Sequence, residues 1–434
     1  MNLRFRTFAW TVILAAPLVF AQNGNGEHWV ATWGASPQAP RALPPARPTQ
    51  GQNGGPQNAG QNGNGAAPNQ PPAIQPLAGL NHQTVRMIVR TSIGGRRLRV
   101  EFSNAFGTVA LMIGGAHIAL RAKDSEIVPA SDRVLSFNGR PSCAIPPGAL
   151  MISDPVDLEV PALTDLAVSL YLPSETGPPT MHGTGLHPTY ISREGNQVEE
   201  RSIDAAATSQ SWYWLSSIDV AAPADAAALV TFGDSITDGA TSTPDTNRSW
   251  PAYLAARLAA NPATANIAVV NQGISGNRVL RDGAGVNALA RFDRDVLSVP
   301  GVKWVSIMES INDVGIGSRT PAEAVTADDL ITGLKQLADR AHMRGIKVIG
   351  CTLTPYEGAA YYSEPGEVIR MTVNQWIRTS GAFDAVFDFD KVEQAPDNPK
   401  QFRAGYNTTD HLHPNDTGYK AMADSVDLSL FAKR

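Results

Sequence analysis

Between residues 83 and 220 apolar and polar positions alternate with a period of two, broken by turns. Val85-Arg86-Met87-Ile88-Val89-Arg90 runs into Gly94-Gly95 and then Leu98-Arg99-Val100-Glu101-Phe102, and Leu166-Ala167-Val168-Ser169-Leu170-Tyr171-Leu172 repeats the pattern. Successive side chains of a strand point to opposite faces, so this alternation predicts half-buried strands. Repeated short strands with Gly-rich turns predict an all-β sandwich, jelly-roll-like. A further strand-like piece lies at residues 28–33. Between it and residue 83, at about 37–76, Pro, Gly, Asn and Gln dominate and large apolar residues are almost missing. Such a stretch cannot bury enough surface to offset its ordering entropy and is expected to be disordered. Strand-like flanks make it a long loop inserted in a domain; a linker between domains is the alternative.

After Pro223 the texture changes. A continuous apolar run at 227–232 is short enough for a buried strand, 267–270, 302–308, 347–352 and 385–387 read as four more strands, and helical spacing appears at 250–260 and 328–345. Strands alternating with helices predict a parallel sheet covered on both faces. Gly345 suits the position that ends a helix, where a left-handed backbone favours a residue with no β-carbon. The expected organisation is therefore a β-sandwich domain over 22–222 and an α/β domain over 223–434.

The amino terminus adds a compartment. Arg4 and Arg6 precede an apolar run at 8–20, and Val19-Phe20-Ala21 ends in small-residue form before Gln22, so residues 1–21 read as a cleaved signal peptide and the protein as secreted or periplasmic. The run is shorter than the roughly 20 apolar residues a membrane span needs, and no stable membrane insertion is expected. With 434 residues, 35 Lys+Arg against 40 Asp+Glu and a formal net charge of -5, the chain carries no basic footprint for nucleic acid. Cys143 and Cys351 fall in different domains, so both are expected as buried free thiols.

In open parallel sheets ligands bind at the carboxyl ends of the strands. There the first strand runs into Gly233-Asp234-Ser235, the second into Gly273-Ile274-Ser275-Gly276-Asn277, and the third into Glu309-Ser310-Ile311-Asn312-Asp313. A serine hydroxyl needs a base, and the base needs an acceptor on its other nitrogen. Asp410-His411-Leu412-His413-Pro414 supplies both in one short loop, with Pro414 expected in the first turn of the last helix. A loop N–H such as that of Gly276 and the Asn312 amide are the donor types that stabilise a tetrahedral oxyanion. The bland alternatives are helix caps for Ser235 and Asn312 and a plain turn for Gly276.

Together these blocks resemble the SGNH (GDSL-type) hydrolase family, named for a Ser, a Gly, an Asn and a His in separated blocks. Ser235, Gly276, Asn312 and the Asp410 to Pro414 segment match in order, over roughly residues 227–428. The resemblance implies a flavodoxin-like three-layer α/β/α domain and hydrolysis of a carboxylic ester. Ser235 would be the nucleophile, His413 the base and Asp410 its orienter, with the Ser235 N–H, Gly276 and Asn312 in the oxyanion hole. Ser310 departs from the pattern, because a glycine is usual there. The β-rich front half is similar to the region that accompanies exported members linked to carbohydrate esters.

The expected reaction is hydrolysis through an acyl-enzyme with no cofactor and no metal. The substrate would be a small-molecule or polysaccharide ester, with carbohydrate deacetylation as one form and a lipase, lysophospholipase-type or aryl esterase on the same triad as the alternative. Tyr356, Tyr361 and Tyr362 in the loop after the fourth strand could stack on a sugar or aryl group, or simply pack the loop. Two other classes remain open. Asp410, His411 and His413 with Asp234 or Asp238 could ligate a metal in a metallohydrolase, and a sugar-binding sandwich could carry an inactive hydrolase-like domain.

Overall fold

In the computed structural model, which describes residues 26–40 and 78–432, the alternating segments pair into two antiparallel sheets. One has the order Trp29–Gly34, Leu215–Ala221, Gly95–Ser103, Val156–Val160, with Leu150–Ile152 also on Gly95–Ser103. The other runs Ala205–Ser209, Thr189–Glu194, Gln83–Arg90, Asp165–Leu172, Gly115–Lys123, Glu126–Ile127. Alternation sets the inner faces: Leu98, Val100 and Phe102 of the first sheet share a core with Val85, Met87, Val89, Leu166, Val168 and Leu170 of the second. Burial of each such side chain contributes about 1.5–3 kcal/mol.

The second half forms a parallel sheet of β1 (Ala227–Gly233), β2 (Ile267–Gly273), β3 (Val302–Met308), β4 (Lys347–Cys351) and β5 (Ala385–Phe387), in the order β2-β1-β3-β4-β5. Its helices are α1 (Ser235–Asp238), α2 (Trp250–Ala260), α3 (Ala288–Phe292), α4 (Ile311–Arg319), α5 (Ala327–His342), α6 (Glu364–Thr379), α7 (Phe389–Glu393) and α8 (Asp416–Asp424). Both faces of the sheet are covered. Ala227 and Leu229 of β1 pack with Trp250, Leu254 and Leu258 of α2 and with Tyr419 and Met422 of α8. The alternate residues Ala228, Val230 and Phe232 pack with Leu330, Leu334 and Leu337 of α5 and Val373 and Ile377 of α6. This is the three-layer flavodoxin-like arrangement, and the strand order reverses beside β1, where a crevice opens at the carboxyl ends.

The two halves share one core, since Val30 and Trp33 of the front sheet belong to the cluster that covers β1. The strand Trp29–Gly34 lies against β2: a β-carbon on Gly34 would stand 2.7 Å from Val270 Cγ1 and 2.8 Å from Gln272 Nε2. Ser92 Oγ accepts the edge N–H of Val269 at 3.1 Å, so the free edge of the parallel sheet is closed by the sandwich.

Local signals explain the helix ends. Thr326 and Asp329 form a capping box at the start of α5. After α5, Gly345 takes φ +69°, its N–H donates to the His342 carbonyl at 2.9 Å, and Ile346 N–H donates to the Ala341 carbonyl at 3.1 Å. Two expectations are corrected. Pro414 stands before the last helix rather than in its first turn, because Asn415 is the cap and its side chain accepts both Thr417 N–H and Gly418 N–H. The biased stretch is ordered at its start: Gln38 is buried, pairs with Met181 through the backbone, and its amide donates to the Ala284 carbonyl at 2.5 Å and accepts Gly183 N–H at 2.8 Å. The rest of that stretch, and the apolar run at 1–21, lie outside the described residues. Cys143 is half-buried, Cys351 is buried, and both are free.

Glu393 of α7 is fully buried, with neither carboxylate oxygen hydrogen-bonded among the described residues. Burial pushes its pKa from 4.5 up to about 8, against the opposing charge of Arg403. Across that window the folded protein keeps a proton the unfolded chain has lost, so stability falls as pH rises from one value to the other. Glu393→Gln is expected to remove this loss. In melting curves the variant should exceed the native protein by a margin that grows from about pH 5 to about pH 9, and a margin independent of pH would refute the assignment.

Candidate active site

β1 ends at Gly233, where a β-carbon would stand 2.3 Å from Thr237 Oγ1 and 2.5 Å from the Met308 carbonyl. Only glycine lets the chain turn this tightly into α1. Asp234 caps that turn by accepting Ile236 N–H at 3.0 Å, which leaves the Ser235 hydroxyl free of a capping role. Ser235 Oγ lies 2.8 Å from His413 Nε2, and His413 Nδ1 lies 2.6 Å from Asp410 Oδ2. The other Asp410 oxygen accepts Thr408 Oγ1 at 2.7 Å, Leu412 N–H at 2.9 Å and His413 N–H at 3.0 Å. Partial burial opposes ionisation of Asp410, but the hydrogen bonds and charge of His413 prevail and hold it well below the usual carboxylate range. An ionised carboxylate only accepts, so the proton of a neutral His413 sits on Nδ1 and the Nε2 lone pair faces the Ser235 hydroxyl.

Beyond β2, Gly276 takes φ +83° and a β-carbon there would meet the Ala284 side chain at 2.8 Å. Among the described residues neither Gly276 N–H nor Ser235 N–H has an acceptor within the protein. Asn312 is the second residue of α4 and does not cap it. One proton of its amide goes to the Asn277 carbonyl at 2.9 Å, and Tyr361 OH donates to its Oδ1 at 3.3 Å. These two contacts fix which way the amide faces and leave its second N–H to donate. Tyr356 departs from expectation: its ring is fully buried against Tyr361 and Tyr362, at 6.2 and 5.0 Å between centroids, and offers no face to a ligand. Tyr361 and Tyr362 are half-buried.

A second ring of residues, not singled out in the sequence, holds these tips in place. Arg291 of α3 is buried, and its guanidinium donates to the Gly233 carbonyl at 3.0 Å, the Gln272 carbonyl at 2.8 Å, Glu309 Oε1 at 3.1 Å, Asn277 Oδ1 at 2.8 Å, Ser36 Oγ at 3.0 Å and Asp295 Oδ2 at 3.0 Å. It also lies 3.9 Å over the Phe232 ring. The signal in sequence is an arginine inside the apolar run Ala288-Leu289-Ala290-Arg291-Phe292. Asp313 pins the loop after Gly276 by accepting Val279 N–H at 2.8 Å and Leu280 N–H at 3.2 Å. Burial raises its pKa to about 6, and burial raises that of Asp234 to about 7.

Two of the groups considered for a metal, His413 and Asp238, are otherwise engaged. Both ring nitrogens of His413 are in use, and Asp238 is taken by His182 at 3.0 Å and by Ser275 Oγ at 2.6 Å. Among the described residues no three His, Cys, Asp or Glu side chains converge as a metal site. A cavity of about 310 Å³ opens between the sandwich and α2, with Trp33, Trp212, His187, Arg248 and Tyr253 in its wall and none of Ser235, Gly276, Asn312 or His413.

Residues 231–421 match the model of the GDSL-like Lipase/Acylhydrolase family. No curated protein matches the chain. Among solved structures, the chain is similar to a lipolytic protein of the G-D-S-L family from Desulfitobacterium hafniense, with 24% identity over 46% of this chain and 96% of that one at a TM-score of 0.35. A catalytic mutant of an acetylxylan esterase from Geobacillus stearothermophilus shows 24% identity over 46% and 91% of the two chains at 0.37. An acylhydrolase from Bacteroides fragilis shows 20% over 47% and 86% at 0.35.

Ser310, at the glycine position of the resemblance, has φ +112°, is fully buried, and its hydroxyl has no partner among the described residues. A non-glycine residue in this region and an unpaired buried hydroxyl each cost of order 1 kcal/mol or more. Ser310→Gly is expected to raise the unfolding free energy by about 1–2 kcal/mol, read from the urea midpoint, and a lower midpoint would count against the strain.

Proposed function

We propose that the protein is a serine esterase that hydrolyses carboxylic esters through an acyl-enzyme. The observation that carries this reading is the unbroken chain from Asp410 Oδ2 through His413 to Ser235 Oγ, at 2.6 and 2.8 Å, beside N–H donors with no other partner. Ser235 Oγ attacks the ester carbonyl while its proton passes to His413 Nε2. The tetrahedral oxyanion accepts from Ser235 N–H, Gly276 N–H and the free proton of the Asn312 amide. Collapse breaks the bond to the alcohol, which leaves with the proton from Nε2. Water then adds to the acyl carbon, gives its proton to Nε2, and the acid departs as that proton returns to Ser235 Oγ.

Within that reaction acetylated carbohydrate is the substrate class we favour. Tyr361 is half-buried and hydrogen-bonded to Asn312, so it stands beside the oxyanion donors, where an aromatic face suits a sugar or an aryl alcohol. Export belongs to the same reading on the pattern of residues 1–21, and protein recovered outside the cytoplasm should begin at Gln22 by terminal sequencing.

Ser235→Ala is expected to lower kcat on aryl acetate by about 10⁴-fold or more, and Asp410→Asn by about 10³–10⁴-fold with the fold retained. A quenched turnover should show an acyl group on the peptide carrying Ser235. Equal rates for native protein and Ser235→Ala would refute the nucleophile.

A further inference from the structure

His182 belongs to the front sandwich, in the short strand Met181–His182 that pairs with Trp212–Tyr213. Its ring is buried and stacked on Trp212 with centroids 5.6 Å apart. Nδ1 lies 3.0 Å from the Ser36 carbonyl and Nε2 lies 3.0 Å from Asp238 Oδ1. Both partners are acceptors, so both ring nitrogens must donate, and the ring is an imidazolium. Burial opposes that charge, and the neighbouring Asp238 carboxylate outweighs it, which raises the pKa.

The other Asp238 oxygen reaches the oxyanion loop. Oδ2 accepts Ser275 N–H at 2.7 Å and Ser275 Oγ at 2.6 Å, and Thr184 Oγ1 of the sandwich donates to the same Ser275 Oγ at 2.9 Å. Ser275 is thus held by its amide and its side chain at once. Its carbonyl carbon is bonded to Gly276 N, so fixing Ser275 fixes the plane of the peptide whose N–H points at the developing oxyanion. Asp238 also ends the helix that Ser235 begins, so one carboxylate ties the nucleophile's helix to the oxyanion loop.

From this geometry we infer that His182, together with Thr184, is a positioning residue for ester hydrolysis: the sandwich aims the Gly276 N–H through Asp238 and Ser275. The front half is then part of the catalytic apparatus rather than an appended binding module. This inference rests on the serine esterase reading above.

The test uses the full chain and aryl acetate, with active sites counted by covalent labelling of Ser235 with a fluorophosphonate. His182→Ala is expected to lower kcat per labelled site by about 10–100-fold with KM little changed, because an oxyanion donor acts in the transition state. The cavity of about 310 Å³ has His182 and Asp238 in its wall, so added imidazole can reach the vacated place and is expected to restore part of kcat. A merely structural role would lower the number of labelled sites and leave kcat per site unchanged, and that outcome overturns the inference. Should His182→Ala not fold, Thr184→Val and Ser275→Ala carry the same test: reduced kcat per site supports the inference and unchanged kcat overturns it. Native protein that neither labels at Ser235 nor turns over the ester would instead sink the esterase reading itself.

Discussion

One buried guanidinium, that of Arg291, sets the spacing of the strand tips. Its donors reach the ends of β1, β2 and β3 and the segment that leaves the first front strand, through Gly233, Gln272, Glu309 and Ser36. A charge so far from water is tolerable only because Asp295 and Glu309 oppose it and every donor direction finds an acceptor. A lysine could match the charge but not the planar fork, so it could not hold three strand ends at fixed distances. The Ser235 turn, the Gly276 loop and Asn312 each sit within a few residues of an Arg291 contact. Their mutual geometry is therefore set from beneath, by a side chain that faces no substrate.

The same logic explains why the two halves share one core. A flavodoxin-like sheet has two edges, and here the β2 edge is closed by Ser92 and packed by the strand Trp29–Gly34. Once the sandwich lies there, its polar side chains reach the loops at the sheet's carboxyl end. Gln38, His182 and Thr184 all do so. Burial of His182 and Asp238 as a pair would be costly in isolation, and their remaining hydrogen bonds to Ser36 and Ser275 offset it.

Much of this was legible before any coordinates. The strand at 227–232 announces itself because a strand covered on both faces is almost wholly apolar, and a half-buried one alternates. Ser235, Gly276 and Asn312 could be singled out because their blocks follow the ends of successive strands, and His413 because Asp410 stands three residues before it. Arg291 leaves only the mark of one charge inside an apolar run, because its importance lies in acceptors spread from residue 36 to residue 309, which the local run does not show. His182 carries no local signal at all, since its carboxylate partner lies 56 residues on. Tyr356 could not be told from Tyr361 and Tyr362 for a related reason: aromatic content shows that a loop will pack, but not which ring ends up inside. Pro414 yielded the cap to Asn415 because an amide that accepts two N–H groups outweighs a favourable backbone angle. At Gln38, composition argued for disorder while distant partners supplied the order.

The strand Trp29–Gly34 pairs with Leu215–Ala221, and Ser36 just beyond it meets Arg291, 255 residues away. His413 enters from the far end of the chain. Contacts of such long range form only after large loops have closed, at a cost in chain entropy that nothing local repays. During synthesis the strand Trp29–Gly34 must wait without its neighbour until residues 215–221 have emerged, and the His413 imidazole follows Ser235, Gly276 and Asn312. The chain from Asp410 through His413 to Ser235 therefore cannot assemble until residue 413 is available to fold.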